Sequence, residues 1–136
     1  MSDRRFAICM HILVLLAKHR DEWLPSDLVA GSININPVLV RKELSAMRKA
    51  GLIISKEGKN GGCMLAKSPD EIYLSDIFKI VNAGTILGNT VTAPNQNCLV
   101  GKQINAHLQV LTTEVENVLI GRLQTKSLAE FSQNFL

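Results

Sequence analysis

The chain has 136 residues, with 15 Lys and Arg against 12 Asp and Glu for a net charge of +3. That length sets one domain, with or without an appended helix, and is enough for a real core. The longest apolar run, Phe6 to Ala17, is interrupted by His11 and too short for a bilayer, and His19-Arg20-Asp21-Glu22 follows it where a secretory cleavage site would need small residues, so a cytoplasmic protein without a membrane partner is expected.

The first element reads as a buried helix from about Ser2 to Lys18, with Cys9 as a small core residue and His11 and His19 as packing or surface residues. Trp23-Leu24-Pro25 then leads to a short helix, Asp27 to Ala30, for which Ser26 is the expected cap. Gly31 to Ile35 is the expected turn, short enough to set a second helix at a steep angle. That second helix opens at Asn36-Pro37, a side-chain acceptor at the N-cap followed by a proline at the first helical position, and stops at Ala50-Gly51. Val40, Leu44 and Met47 fall at i, i+4 and i+7 and form an apolar stripe, while Arg41, Lys42, Ser45, Arg48 and Lys49 fall on the other side. Such a face is common on any protein surface; the helix-turn-helix spacing around it is what points to DNA.

Leu52 to Ser55 is strand-like, Lys56-Glu57-Gly58-Lys59-Asn60-Gly61-Gly62 supplies a tight reversal, and Cys63-Met64-Leu65 returns as the partner strand. This hairpin is a wing, with Lys56 and Lys59 near its tip suited to phosphate or minor-groove contact. Residues 36 to 60 carry six cations against Glu43 and Glu57, a net +4, so the rest of the chain sums to −1. A charge excess confined to one segment marks a local polyanion site rather than a generally basic protein.

Beyond the wing, Ser68 to Glu71 is a turn, Ile72-Tyr73-Leu74 an extended piece, and Ser75 the expected cap of a helix to about Asn82. Gly84 to Gly101 is read as a flexible polar loop containing Cys98. A long helix is expected from about Lys102 to Gln124, where Ile104, Leu108, Leu111, Val115 and Val118 recur at the spacing of a coiled-coil seam and Val110, Leu119 and Leu123 widen the apolar face. It is expected to cover its own domain and a twin. Ser127-Leu128-Ala129-Glu130 is a capping box opening a last short helix with Phe131 and Phe135. Three cysteines without C-x-x-C spacing argue against a disulfide scaffold and a structural zinc site.

The order Asn36-Pro37, Val40-Arg41, Ala50-Gly51-Leu52, Gly61-Gly62, Leu65-Ala66, Asp76-Ile77, Cys98-Leu99-Val100-Gly101 and Ser127 to Glu130 resembles the BadM/Rrf-two winged-helix transcription regulators of bacteria over nearly the whole chain. The resemblance implies a homodimer whose second helix enters the major groove, whose wing touches the minor groove, and whose long C-terminal helices cross at the dimer interface. Some members hold an iron-sulfur cluster by three cysteines and a histidine, at positions occupied here by Thr92, Cys98, Ile104 and His107. Two candidate ligands fall short of the usual donor set, so neither a cluster nor another metal cofactor is expected.

The expectation is thus a mainly α fold with a small β wing, a winged helix-turn-helix over residues 1–83, a loop over 84–101 and a dimerisation helix plus short helix over 102–136. The function is that of a sequence-specific regulator, a homodimeric repressor on a palindromic operator of double-stranded DNA. Asn36, Val38, Arg41, Lys42 and Ser45 face the groove, with Arg41 the foremost reader of a guanine edge. Arg48, Lys49, Lys56 and Lys59 take phosphates, and Asn60 stands at the wing tip. Alternatives are a protein-interaction module built on the same domain, and a redox-sensing regulator in which Cys98, near Lys102 and a helix start and with His107 beyond, responds through its thiol. Thiol catalysis by Cys98 and His107 lacks any orienting acid or oxyanion arrangement, and no enzyme is expected.

Overall fold

A computed structural model describes residues 4–84 and 86–136. In chain order it contains α1 (Arg5–Lys18), α2 (Ser26–Ile33), α3 (Pro37–Lys49), strands β1 (Ile53–Lys56) and β2 (Gly62–Leu65), a single 3-10 turn (Pro69–Glu71), α4 (Leu74–Val81), α5 (Leu99–Leu123) and α6 (Leu128–Ser132). The architecture is mainly helical with one two-stranded antiparallel sheet. The start expected for the first helix, Ser2, lies outside the described residues.

α1 is the central post. Ile8, Cys9, Met10, Ile12, Leu13, Val14 and Leu16 are all buried, more than one stripe can supply, because α3, α4, α6 and the wing surround it. Val29 and Ala30 of α2, Val40, Leu44 and Met47 of α3, and Ile77 and Val81 of α4 close the same core. Leu128 of α6 is also in it. The C-terminal segment is fastened there by Leu74 N–H to the Lys126 carbonyl at 2.9 Å and Leu128 N–H to the Ile72 carbonyl at 2.7 Å.

Three local expectations are corrected, two of them by long-range pairing. Leu24 and Cys63 exchange both backbone hydrogen bonds, at 3.1 and 2.9 Å, adding a third extended segment beside β2. Pro25 therefore stays extended and acts as the N-cap of α2, and Ser26 is its first helical residue instead of its cap. Tyr73 lies opposite Ser127 in a second bridge closed by the flanking Leu74–Lys126 and Leu128–Ile72 bonds, so α4 starts at Leu74; Tyr73 N–H bonds to Asp76 Oδ2 at 2.9 Å, and Ser75, the expected cap, is buried within the helix. The expected turn from Gly31 is also shorter, because α2 runs on to Ile33 and reverses at Asn34, in the left-handed conformation at φ 65°. Asparagine is one of the few non-glycine residues that tolerate that region.

The long helix starts three residues before Lys102, at Leu99, with Cys98 as its N-cap. Gly101 is required there, since a Cβ would collide with the Asn95 carbonyl oxygen. Ser127 caps α6, its Oγ accepting the Glu130 N–H at 3.1 Å, but the helix ends at Ser132 and Phe135 lies beyond it, its ring 5.6 Å from that of Phe131. No residue of α5 is fully buried. Among the described residues no helix is long and apolar enough to cross a membrane.

Candidate nucleic-acid interface

The start of α3 forms as its sequence dictates. Asn36 is extended and its Oδ1 accepts the Val38 N–H at 2.9 Å, with Pro37 occupying the first helical position. The apolar stripe turns inward, leaving Val38 61 % exposed and Asn36, Arg41, Lys42, Arg48 and Lys49 on the surface; Ser45 is half-buried. Cationic side chains thus line the accessible face of α3, the arrangement that attracts phosphate.

Arg41 is held only loosely, its Nη1 standing 3.9 Å from Asp27 Oδ1 of α2, with both side chains largely in water. A pair at that separation and exposure contributes little and is easily exchanged for another acceptor. Arg48 has a firmer local bond: its Nη1 donates to Ser55 Oγ at 2.9 Å, tying the end of α3 to β1.

The wing is clamped to the domain along its returning strand. β1 and β2 pair Ile53 with Leu65 through Lys56 with Gly62, and Leu24 occupies the other edge beside Cys63. The two adjacent glycines permit this: a Cβ on Gly61 would strike the Lys56 carbonyl, and one on Gly62 the backbone of Leu24 and Pro25. Asn60, at φ 66°, and Gly58, at φ 87°, turn the tip. Lys59 and Asn60 are exposed there, and Lys56, in the last rung before the loop, has its Nζ 5.9 Å from the centroid of the Trp23 ring. Cys63 is sealed beneath, its Sγ donating to the Leu24 carbonyl at 3.4 Å, and burial pushes its thiol pKa from 9.0 up to about 11 against a small opposing pull from Arg48.

Glu43 is where the charge reading changes. It sits on the inner face of α3, 3 % exposed, and Arg5 of α1 donates to both of its carboxylate oxygens, from Nε at 3.2 and 3.0 Å and from Nη2 at 3.0 Å. Its charge is neutralised inside the molecule, so the accessible part of residues 36 to 60 carries six cations against Glu57 alone, a net +5. Nothing local in the sequence pairs residues 38 positions apart, although a carboxylate at i+3 from Val40, within the apolar stripe, is a signal that it needs a buried partner.

The loop and long helix keep the thiol and the imidazole apart. Cys98 is exposed at the N-cap of α5, and His107 lies nine residues on, about 13 Å along the axis and on roughly the opposite side. Thr92 and Ile104 offer no thiolate or imidazole, and the described residues contain no group of three or more His, Cys, Asp or Glu close enough to hold a metal ion. The donor set does not fit an iron-sulfur cluster.

Comparison with known proteins gives a consistent result. The family model described as "Rrf2: Iron-dependent Transcriptional regulator" matches residues 2–134. The chain is 34 % identical over 130 residues to the "Putative HTH-type transcriptional regulator YwnA" of Bacillus subtilis (strain 168), covering 96 % of each chain. A solved structure described as "a putative DNA binding protein" is 32 % identical and superposes with a TM-score of 0.74 over 93 % of this chain and 97 % of that one. At 21 % identity, CymR (YrzC), the global cysteine regulator of B. subtilis, has the same fold, with a TM-score of 0.67 over 100 % of this chain and 98 % of that one. A cationic helix-turn-helix with a clamped wing, on a chain matched from end to end, leaves one conclusion: the chain belongs to the Rrf2 family of DNA-binding transcriptional regulators.

Proposed function

We propose that the protein works as a homodimeric repressor that reads a palindromic operator. α3 enters the major groove, with Asn36, Val38, Arg41, Lys42 and Ser45 toward base edges, while Arg48, Lys49, Lys56 and Lys59 take phosphates and Asn60 approaches the minor groove. The observation that carries this reading is the accessible net charge of +5 between Asn36 and Asn60, shared by α3 and the wing, with the opposite face of α3 locked into the core. No iron-sulfur cluster takes part, for want of donors.

Twofold pairing is assigned to α5. The helix is about 37 Å long and leaves its seam uncovered, with Leu111 and Val118 exposed and Val118 at 73 %. A separate apolar groove of about 610 Å³, lined by Phe6, Met10, Val14, Leu123, Phe131 and Phe135, opens between α1, the end of α5 and the C-terminal segment. Exposed apolar area of this extent marks an interaction face, and a second copy supplies a matching one. Two reading heads fixed by that pairing occlude a duplex with half-sites one helical turn apart, which is repression by occupancy.

Selection of bound duplexes from a random pool tests the assignment. Arg41→Ala should weaken the selected duplex by about 1–3 kcal/mol and relax preference at one base position, whereas Lys59→Ala should weaken all sequences alike. Equal losses on every sequence from both variants would contradict the division of roles. A second reading adds a thiol response: Cys98 is exposed while Cys9 and Cys63 are buried, so an oxidant or electrophile would act there first. Loss of operator binding on alkylation of the wild type, retained in Cys98→Ser, would support that addition.

A further inference from the structure

We infer that the Arg5–Glu43 pair is a positioning element that fixes the rotation of α3 about its own axis and so sets how sharply the protein discriminates among DNA sequences. This inference rests on the groove-facing assignment of α3 made above.

Stability alone does not account for the pair. Replacing a buried ion pair by apolar groups of similar volume is often neutral or stabilising, whereas removing one partner leaves an uncompensated charge. Direction is what the pair adds. Val40, Leu44 and Met47 hold α3 to the core by apolar contact, which has no preferred orientation. The guanidinium of Arg5, by contrast, presents a planar fork to both oxygens of Glu43, and Cys9 Sγ adds a contact to Oε1 at 3.9 Å. Arg5 belongs to the central post α1, so the reference for α3 is the most enclosed helix of the molecule.

Glu43 lies within two residues of Arg41, Lys42 and Ser45 on the same short helix. A side-chain atom about 6 Å from a helix axis moves by about 1 Å when the helix turns by about 10°. Displacement of that size is enough to lose a hydrogen bond to a base edge while phosphate contacts, made by long flexible lysines, persist. The expected consequence of releasing the pair is therefore lost discrimination with retained general affinity.

The experiment uses the full chain, with a duplex enriched by selection with the wild type and a duplex of random sequence as the two probes. Arg5→Met with Glu43→Met removes the pair without orphaning either charge, and Arg5→Lys keeps the charge but removes the fork. Thermal unfolding of each variant is measured alongside, and residual dipolar couplings of the α1 and α3 amides report the angle between the helices. The expected result is a wild-type-like melting temperature in at least one of the two variants, together with a fall of about tenfold or more in the ratio of selected to random affinity and altered couplings in α3. Wild-type discrimination and couplings in a folded variant would overturn the inference. Absence of any sequence preference in the wild type would instead remove the DNA-reading assignment, and the couplings would still decide whether the pair orients α3.

Discussion

Gly62→Ala is the substitution whose cost the structure defines most directly. A Cβ at this position would overlap the carbonyl of Leu24 and approach the nitrogen of Pro25, both backbone groups, so no side-chain rotation relieves the clash. The chain must separate Leu24 from β2, breaking the two hydrogen bonds that Leu24 and Cys63 exchange. At about 0.5–1.5 kcal/mol net for each bond this is about 1–3 kcal/mol. Gly62 also has a φ of 149°, and the strain an L-residue meets there adds on the order of 1 kcal/mol. The sum is about 2–4 kcal/mol, a large part of the total stability of a domain this size. Gly58→Ala is the control: its φ of 87° carries a cost of about 1–2 kcal/mol, but its Cβ would point into open space. Urea unfolding at one fixed protein concentration should rank Gly62→Ala below Gly58→Ala, by about 1.5 kcal/mol at the centres of the two ranges, and only the former should weaken binding to random duplex by displacing Lys56. Equal midpoints for the two variants would refute the clamp.

Cys63 carries a pH prediction. Its thiol is protonated in folded and unfolded chains alike below about pH 9, so its contribution is complete there; between about 9 and 11 the unfolded chain loses the proton first and stability falls, by on the order of 2–3 kcal/mol in all. Cys63→Ala should remove that fall from the stability–pH curve, and an unchanged slope in the variant would contradict it. Val118→Lys together with Leu111→Lys should yield a monomer by sedimentation; a dimer surviving both changes would move the interface off the α5 seam. Four phosphate contacts per subunit predict a log–log salt slope of roughly −7 for duplex binding, and a flat salt response would remove the assignment of Arg48, Lys49, Lys56 and Lys59 to phosphates.

Much of this protein was legible residue by residue because the relevant forces act over one or two turns. Asn36-Pro37 starts α3 through a bond to Val38, the spacing of Val40, Leu44 and Met47 selects the buried face, and the run Lys56 to Gly62 makes the reversal of the wing, with Gly58 and Asn60 at positive φ. Tertiary structure decided what depends on partners far along the chain. The pairing of Leu24 with Cys63 and of Tyr73 with Ser127 moved two helix starts away from serines with good capping chemistry, because a backbone held in an extended ladder outweighs a single side-chain cap. Glu43, which read as one more surface charge opposing the cations, became the buried partner of Arg5 and left the reading face more positive than its sequence suggests. Local sequence thus determined which segments are helix, turn and wing, through caps, periodicity and glycine sterics. Only the folded core decided where α2 and α4 begin and which charges remain in water, since both depend on contacts between residues 38 or more positions apart.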